Sequence, residues 1–497
     1  MWFTTRISQR SRRMIVVAVS LFVVLAVPLM AFANVPITQI NSDTYTNSTS
    51  QHATQVEPDS FSFGSTIVAA VQTGRFFDGG ASNIAWSTST DNGATWSHGN
   101  LPGVTKFEGG GPYDRVSDPV VAYNARFNVW IIAGLAIRDT SGVIGVAVTA
   151  SRSTNGGTVW NNPVNVAVAT GSANLDKDWI VCDNTPTSPF YGNCYVEWDD
   201  NGAGNLIKMS TSTDGGLTWG AAKNTANNAT GLGGQPVVQP NGTVIVPIDN
   251  ANETALRVFN STNGGTSWSS ATTITSLSVH TVAGSLRTDA LPSAEIDGSG
   301  KVYVVWQDCR FRSRCRRNDI VMTTSTNGTT WSAVTRIPID ATSSTVDHFI
   351  PGLAVDRTTS GSSARLGLTY YYYPNSSCSA STCQLNVGFI SSSNGGASWT
   401  APTAVTGPMT LSWLANTSQG RMVGDYISTS YAGGTARGLF AVATAPSGGV
   451  FHEAMYTTSS GLSLASVKGA ETVAGLDKPV PDAASDQPAS KEPLTAR

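Results

Sequence analysis

The chain has 497 residues, 13% of them charged, with 49 glycines and a net charge of -3 at an isoelectric point near 6.0. That charge content is about half of the roughly 25% usual in soluble domains, which excludes a helical bundle or coiled coil, and the balance of charge excludes a basic nucleic-acid footprint. A hydrophobic content of 40% permits a large core, and the abundance of Gly, Ser, Thr and Asn points to many short strands and turns.

At the N-terminus, Arg6, Arg10, Arg12 and Arg13 precede an uncharged apolar run from Met14 to Met30. Ala31-Phe32-Ala33 then offers small residues where a signal peptidase reads. Residues 1–33 are therefore expected to be a signal peptide cleaved after Ala33, leaving a secreted protein with no membrane segment. An uncleaved anchor is the alternative, although the run sits at the lower limit for a span and Pro28 falls near its end.

The cysteines fall into close pairs: Cys182 with Cys194, Cys309 with Cys315, and Cys378 with Cys383. An even count behind an export signal suggests disulfides, and neighbour pairing is the simplest connectivity. No pair has C-x-x-C spacing and the histidines form no H-E-x-x-H, so no metal site is expected from these residues.

From residue 34 to about 465 one octapeptide organises the chain. Its copies are Ser89-Thr-Asp-Asn-Gly-Ala-Thr-Trp96, Ser153-Thr-Asn-Gly-Gly-Thr-Val-Trp160, Ser212-Thr-Asp-Gly-Gly-Leu-Thr-Trp219, Ser261-Thr-Asn-Gly-Gly-Thr-Ser-Trp268, the shorter Ser325-Thr-Asn-Gly-Thr-Thr-Trp331, and Ser392-Ser-Asn-Gly-Gly-Ala-Ser-Trp399. The tryptophans are 64, 59, 49, 63 and 68 residues apart, too far for one hairpin and suited to a four-stranded unit with decorated loops. Asp or Asn accepts from nearby backbone N–H groups, Gly supplies positive φ, and Trp folds back over the hairpin. Four copies carry Asn in place of Asp, so hydrogen bonding, not charge, is the shared chemistry, and the boxes read as structural.

These octapeptides are Asp boxes, or BNR repeats, and from about residue 56 to 460 the chain resembles the sialidase (neuraminidase) superfamily. The resemblance implies an all-β propeller. It leaves activity open, because the box also occurs in other glycoside hydrolases, receptors and lectins. Seven first-strand signals run Ser60 to Val71, Asp118 to Tyr123, Asp178 to Cys182, Gln235 to Gln239, Leu291 to Ile296, Ile350 to Val355 and Met422 to Thr429. They predict seven blades, with six as the alternative that sialidases suggest. Val35–Ile40 is expected to supply the outer strand of the last blade. Residues 466–497, with scattered prolines and no apolar periodicity, are expected to be a disordered tail.

Charges in this charge-poor chain gather where first strands should begin: Glu57 and Asp59; Asp114, Arg115 and Asp118; Asp176, Lys177 and Asp178; Arg287 and Asp289; Asp347 and His348; Arg421 and Asp425. Gathering them is costly unless a ligand needs them. A retaining sialidase would need an arginine cluster for the substrate carboxylate, an acid/base Asp, and a Tyr nucleophile activated by Glu. Tyr426, in Val423-Gly-Asp-Tyr-Ile-Ser428, looks like the last-blade tyrosine nucleophile of sialidases, with Glu57 or Glu295 as its activating partner, and Asp59 is the acid/base candidate. Arg115, Arg287, Arg310 and Arg421, with Asp114, form the candidate substrate-binding set. Where the family has Arg-Ile-Pro, this chain has Glu57-Pro58-Asp59, and the Arg-Ile-Pro at Arg336 follows the fifth box on an expected outer strand.

The expected function is a secreted exo-glycosidase of sialidase type acting on a glycan or polysaccharide. The alternatives are a non-catalytic glycan-binding propeller and a polysaccharide hydrolase using two carboxylates. A monomer is expected, without nucleic-acid partner or cofactor, calcium in the Asp-rich loops being left open.

Overall fold

The computed structural model describes Met1 and residues 35–140, 142–463 and 477–480. The chain divides into Met1–Phe32 and Ala33–Arg497. The expected signal peptide, apart from Met1, lies outside the described residues, as does most of the expected tail. Among the described residues the structure is all-β, with short 3-10 turns and no α-helix.

The strands pair into antiparallel units in chain order. The first holds Gln55–Phe63, Thr66–Arg75, Ala81–Ser89 and Ser97–Asn100, and the second holds Arg115–Asn124, Val129–Asp139, Val143–Ser153 and Val164–Val168. A single pairing of Ala81 with Val116 joins these two. Leu175–Cys182, Cys194–Asp200, Leu206–Ser212 and Lys223–Asn224 make the third. In the fourth, Gly231–Leu232 and Val237–Val238 both pair with Val244–Asn250, followed by Ala255–Ser261 and Thr272–Ser276. The fifth contains Ser293–Ile296, Val302–Asp308, Asp319–Ser325 and Thr335–Arg336, and the sixth Asp347–Val355, Leu366–Tyr373, Gln384–Ser392 and Thr403–Thr410. In the last, Ser428–Ala432, Thr435–Ser447 and Val450–Thr458 take Ile37–Gln39 as their fourth strand.

Three first strands differ from their expected spans. Ser60 to Val71 is cut by a turn at Gly64, whose φ is 60°. Gln235 to Gln239 shrinks to Val237–Val238, since Pro236 has no N–H for the ladder. Met422 to Thr429 is divided between a small hairpin ending at Gly420–Met422 and the strand Ser428–Ala432.

Each unit is sandwiched between neighbours, so strands are buried on both faces. Along Val302–Asp308, Val302, Val304 and Trp306 enter one core while Tyr303 and Val305 enter the next. The two-residue period of the strand deals alternate side chains to different cores, which is why these segments are continuously apolar and the chain has so few charges. First strands meet through Val121 N to Asp59 Oδ2 at 2.7 Å, Ala294 N to Gln235 Oε1 at 2.9 Å, Leu353 N to Ser293 Oγ at 3.1 Å and Thr429 Oγ1 to Gly352 O at 2.7 Å. Ser428 and Ser430 of the last unit share hydrogen bonds of 2.8 Å with Ser60 of the first.

The boxes form the turns their composition implies. Asp91 Oδ1 accepts Ala94 N and Thr95 N at 3.0 and 2.9 Å, and its other oxygen accepts Thr95 Oγ1 at 2.6 Å. In the fourth and sixth boxes Asn263 and Asn394 accept Ser267 N and Ser398 N, while their amides donate to the same serines' hydroxyls at 2.8 Å. An amide donor thus replaces the lone pair that meets Thr in the Asp copies, and the turn survives loss of charge. Trp96 and Trp160 donate their ring N–H to Gly93 O and Gly157 O.

The cysteines pair as neighbours, Cys182–Cys194, Cys309–Cys315 and Cys378–Cys383. Of the expected tail, residues 477–480 make contacts: Asp477 accepts from Arg336 Nε at 2.7 Å and Val480 N donates to Arg310 O at 2.7 Å.

Removing residues 34–40 bares the Val450–Thr458 edge. The truncated protein is expected to melt earlier than the untruncated one and to self-associate through that edge; equal melting curves and a monomeric elution profile would refute the role given to this strand.

Candidate active site

The first strands of several units share a device near their beginning. The register slips between Val56 and Asp59, between Ser117 and Val120, between Asp176 and Trp179, and between Phe349 and Gly352. Within these bulges Glu57, Asp118, Lys177 and Ile350 adopt positive φ of 59°, 49°, 52° and 49°. Proline follows three of them (Pro58, Pro119 and Pro351), as suits a position that gives no N–H to the ladder. Bulges re-aim side chains, and backbone in this region is strained for residues other than Gly. Here they bring Glu57, Asp118 and Lys177 from consecutive units into one cluster.

Asp425 of the last unit stands at its centre. It accepts Arg287 Nε at 2.6 Å on one oxygen, and Arg287 Nη2 and Lys177 Nζ on the other. Gly424 makes this possible: at φ 144° a Cβ there would sit 2.8 Å from the backbone of Glu57. Asp425 N donates to Glu57 Oε1 at 3.3 Å, and Gln72 Nε2 donates to the other Glu57 oxygen and to Ser117 Oγ. Ser117 Oγ in turn donates to Asp118 Oδ1 at 3.1 Å, whose second oxygen accepts Lys177 N at 3.2 Å. Arg75 is buried nearby, its Nε against Met422 Sδ.

Burial and mutual repulsion split the carboxyls. Burial, then the charges of Asp425 and Asp118, push Glu57 up to about 8. Burial and Asp118 raise Asp176 to about 6, and burial with Asp118 and Glu197 holds Asp178 well above the carboxylate range. Burial would raise Asp425 as well, but Arg287 and Lys177 overcome it and hold that carboxyl well below its ordinary value. Burial also lowers Arg75 to about 10, with Arg287 adding to the effect. At neutral pH the cluster therefore sets a protonated Glu57 beside an ionised Asp425, the separation that distinguishes an acid from its partner carboxylate.

The expected site residues distribute unevenly. Glu57 and Arg287 lie in the cluster. Tyr426 borders it, but its hydroxyl donates to Pro119 O at 3.1 Å and its ring packs edge-on against Trp179; it makes no hydrogen bond to Glu57, and burial, with Glu57 and Asp118 next, keeps the phenol neutral. Asp59, two residues further along its strand, is raised to about 7 by burial and has Glu295 and Ser428 as neighbours. The arginine set does not converge, because each member has a nearer partner. Arg115 lies between Asp78 and Asp139 and stacks on Phe76. Asp114 pairs with Lys106, Arg310 forks onto Asp308, and Arg421 donates to Leu414 O at 2.8 Å.

Arg75, Asp118, Lys177 and Asp425 complete the cluster and stand outside the expected site set. Asp118, Lys177 and Asp425 stand among the charges gathered at strand starts, and Asp118 carries the further signal of an acidic residue before proline that it shares with Glu57. A second charged knot gathers Asp319, Asp340 and His348 within 4.8 Å. Arg312 forks onto Asp319 and reaches Asp340, and Arg336 approaches both, so cations of the chain already occupy these carboxylates and the Arg-Ile-Pro arginine is spent there.

Residues 138–351 match the family model described as BNR repeat-like domain. That stretch holds four of the chain's six boxes. The chain is similar in structure to a Hadza microbial sialidase at 17% identity and a TM-score of 0.43, over 64% of this chain and 63% of that one. The chain thus covers less than two thirds of that sialidase. It is also similar to a Penicillium chrysogenum alpha-L-arabinanase at 14% identity and TM-score 0.44 (71% and 98% of the two chains). A Fusarium graminearum alpha-L-arabinofuranosidase gives 13% identity and TM-score 0.43 (71% and 97%). No curated protein matches the chain.

Asp425→Asn leaves Arg287 and Lys177 buried beside a neutral partner. It is expected to cost about 3–5 kcal/mol in urea unfolding, and an unchanged midpoint would refute the central ion pair. Glu57 keeps its proton in the folded state up to about pH 8 and loses it near pH 4.5 when unfolded. Stability should therefore fall as pH rises through that window, with Asp59 and Asp176 acting in the same direction. Asp425 acts oppositely, giving stability that is lost only on acidification below the ordinary carboxylate range. Melting temperatures from pH 4.5 to 8.5 should decline, and Glu57→Gln should flatten the decline; identical slopes in the two proteins would refute the shifted Glu57.

Proposed function

We propose that the protein is a secreted glycoside hydrolase with a seven-bladed propeller, each of the seven antiparallel units being a blade, and that it acts on a neutral sugar of a glycan or polysaccharide. The observation that carries this reading is one enclosed cluster in which Glu57, pushed up to about 8 by burial and then by Asp425 and Asp118, lies beside Asp425 and is linked through Gln72 and Ser117 to Asp118. Glu57 is the proton donor to the glycosidic oxygen. Asp118, joined to it through Gln72 and Ser117, is the second carboxylate that receives the anomeric centre or activates water. Burial keeps Glu57 protonated, and Asp425, fixed between Arg287 and Lys177, adds to it.

A neutral sugar is favoured over sialic acid because Arg287 already grips a carboxylate of its own chain and Arg115, Arg310 and Arg421 are tied elsewhere. The three disulfides support an extracellular location. One observation favours a non-catalytic, glycan-binding propeller instead: Glu57, Asp118, Arg287 and Asp425 are all buried, and Asp425 already takes up Arg287.

The test is a panel of p-nitrophenyl glycosides of neutral pentoses and hexoses, with the methylumbelliferyl glycoside of sialic acid alongside. Turnover of a neutral glycoside is expected, falling by about 10²–10⁴-fold in Glu57→Gln and in Asp118→Asn. Turnover of the sialoside that depends on Tyr426 would restore the sialidase mechanism. No turnover by folded protein would leave the binding role.

A further inference from the structure

At the far ends of the same first strands lies a second concavity. Glu57 and Phe63 are six positions apart on Gln55–Phe63, roughly 20 Å along an extended strand, so this concavity opens away from the charged cluster. Its volume is about 560 Å³, within the ~300–1,000 Å³ typical of small-molecule sites. Five of the other units contribute to its wall together with the first.

The wall combines two kinds of surface. Phe61 and Phe63 supply aromatic faces, Phe63 being 43% exposed and stacked at 4.4 Å on Tyr123. Arg357 reaches from the sixth unit over the Phe61 ring, 4.9 Å from its centroid, and donates to Glu295 Oε2 of the fifth unit at 3.2 Å. The other acids at this rim are engaged in their own turns: Asp297 accepts Ser299 N and Lys301 N, and Asp356 accepts Thr358 N. Tyr431, also in the wall, has a buried hydroxyl without a hydrogen-bond partner.

We propose that this concavity is a second carbohydrate site, separate from the charged cluster, for one or two units of a neutral saccharide. A guanidinium beside a carboxylate offers a donor and an acceptor at adjacent positions, which matches the paired hydroxyls of a sugar ring. Flat aromatic surface beside them suits the apolar C–H face of the same ring. A charged ligand fits less well, since Arg357 and Glu295 neutralise each other. The site goes beyond the hydrolase reading and does not depend on it: an inactive propeller would carry it equally.

Isothermal titration of the full chain with cellobiose, maltose, lactose, arabinobiose and N-acetylglucosamine tests this, with Glu57→Gln, Phe63→Ala and Glu295→Gln proteins alongside. At least one sugar is expected to bind the wild-type and Glu57→Gln proteins with the same affinity. Binding should weaken ten-fold or more in Phe63→Ala and in Glu295→Gln. Phe63 is exposed enough that its truncation keeps the fold, verified by an unchanged melting temperature. Absence of binding by every sugar in the panel overturns the proposal. So does binding that survives both Phe63→Ala and Glu295→Gln, or that weakens only in Glu57→Gln.

Discussion

The centre of the molecule depends on one carboxylate, Asp425, held between the buried Arg287 and a Lys177 whose side chain is only 10% exposed. Taking such charges out of solvent costs several kcal/mol per ion, and only close pairing returns it. The three residues come from the last, fifth and third parts of the chain, so the pairing is available only when distant units have docked in correct register. The same carboxylate adds to the burial that denies Glu57 its negative charge, with Asp118 contributing next. A structural tie and an acid at neutral pH are thus one arrangement.

The bulges are the backbone counterpart of that tie. A regular strand alternates its side chains between the two neighbouring cores, and neither direction reaches the centre. One extra residue with positive φ breaks the alternation where a charge is needed and restores it two residues later. The strain falls on Glu57, Asp118 and Lys177, and on Ile350, where the same backbone carries an apolar side chain instead.

What was legible in the sequence was local. The boxes are short turns whose bonds run within five residues, and the disulfides join near neighbours, so both could be read from spacing. Glu57 and Arg287 were legible as charges near strand starts, but position along the chain does not say which charge has a closer partner. Arg115 sits between two loop carboxylates, and Arg310 finds Asp308 two residues away. Tyr426 occupies the expected place, yet Pro119 O, more than 300 residues earlier, takes its hydroxyl. The boxes made an all-β chain of repeated antiparallel units legible, while these departures are specific to this chain's own side chains.

The pairing of Ile37–Gln39 with Val450–Thr458 bears on how the molecule comes into being. The two strands pair Ile37 with Thr458 and Gln39 with Tyr456, and next to them the Thr38 and Ser459 hydroxyls, 421 residues apart, share a hydrogen bond. During synthesis the first strand must wait, unpartnered, until the chain through Val450–Thr458 has been made. Contacts of such long range are entropically slow to form, so earlier units can assemble progressively while the final seam is sealed last. The completed sheet then has its two chain segments as mutual clasps, and unravelling from one end requires releasing the other.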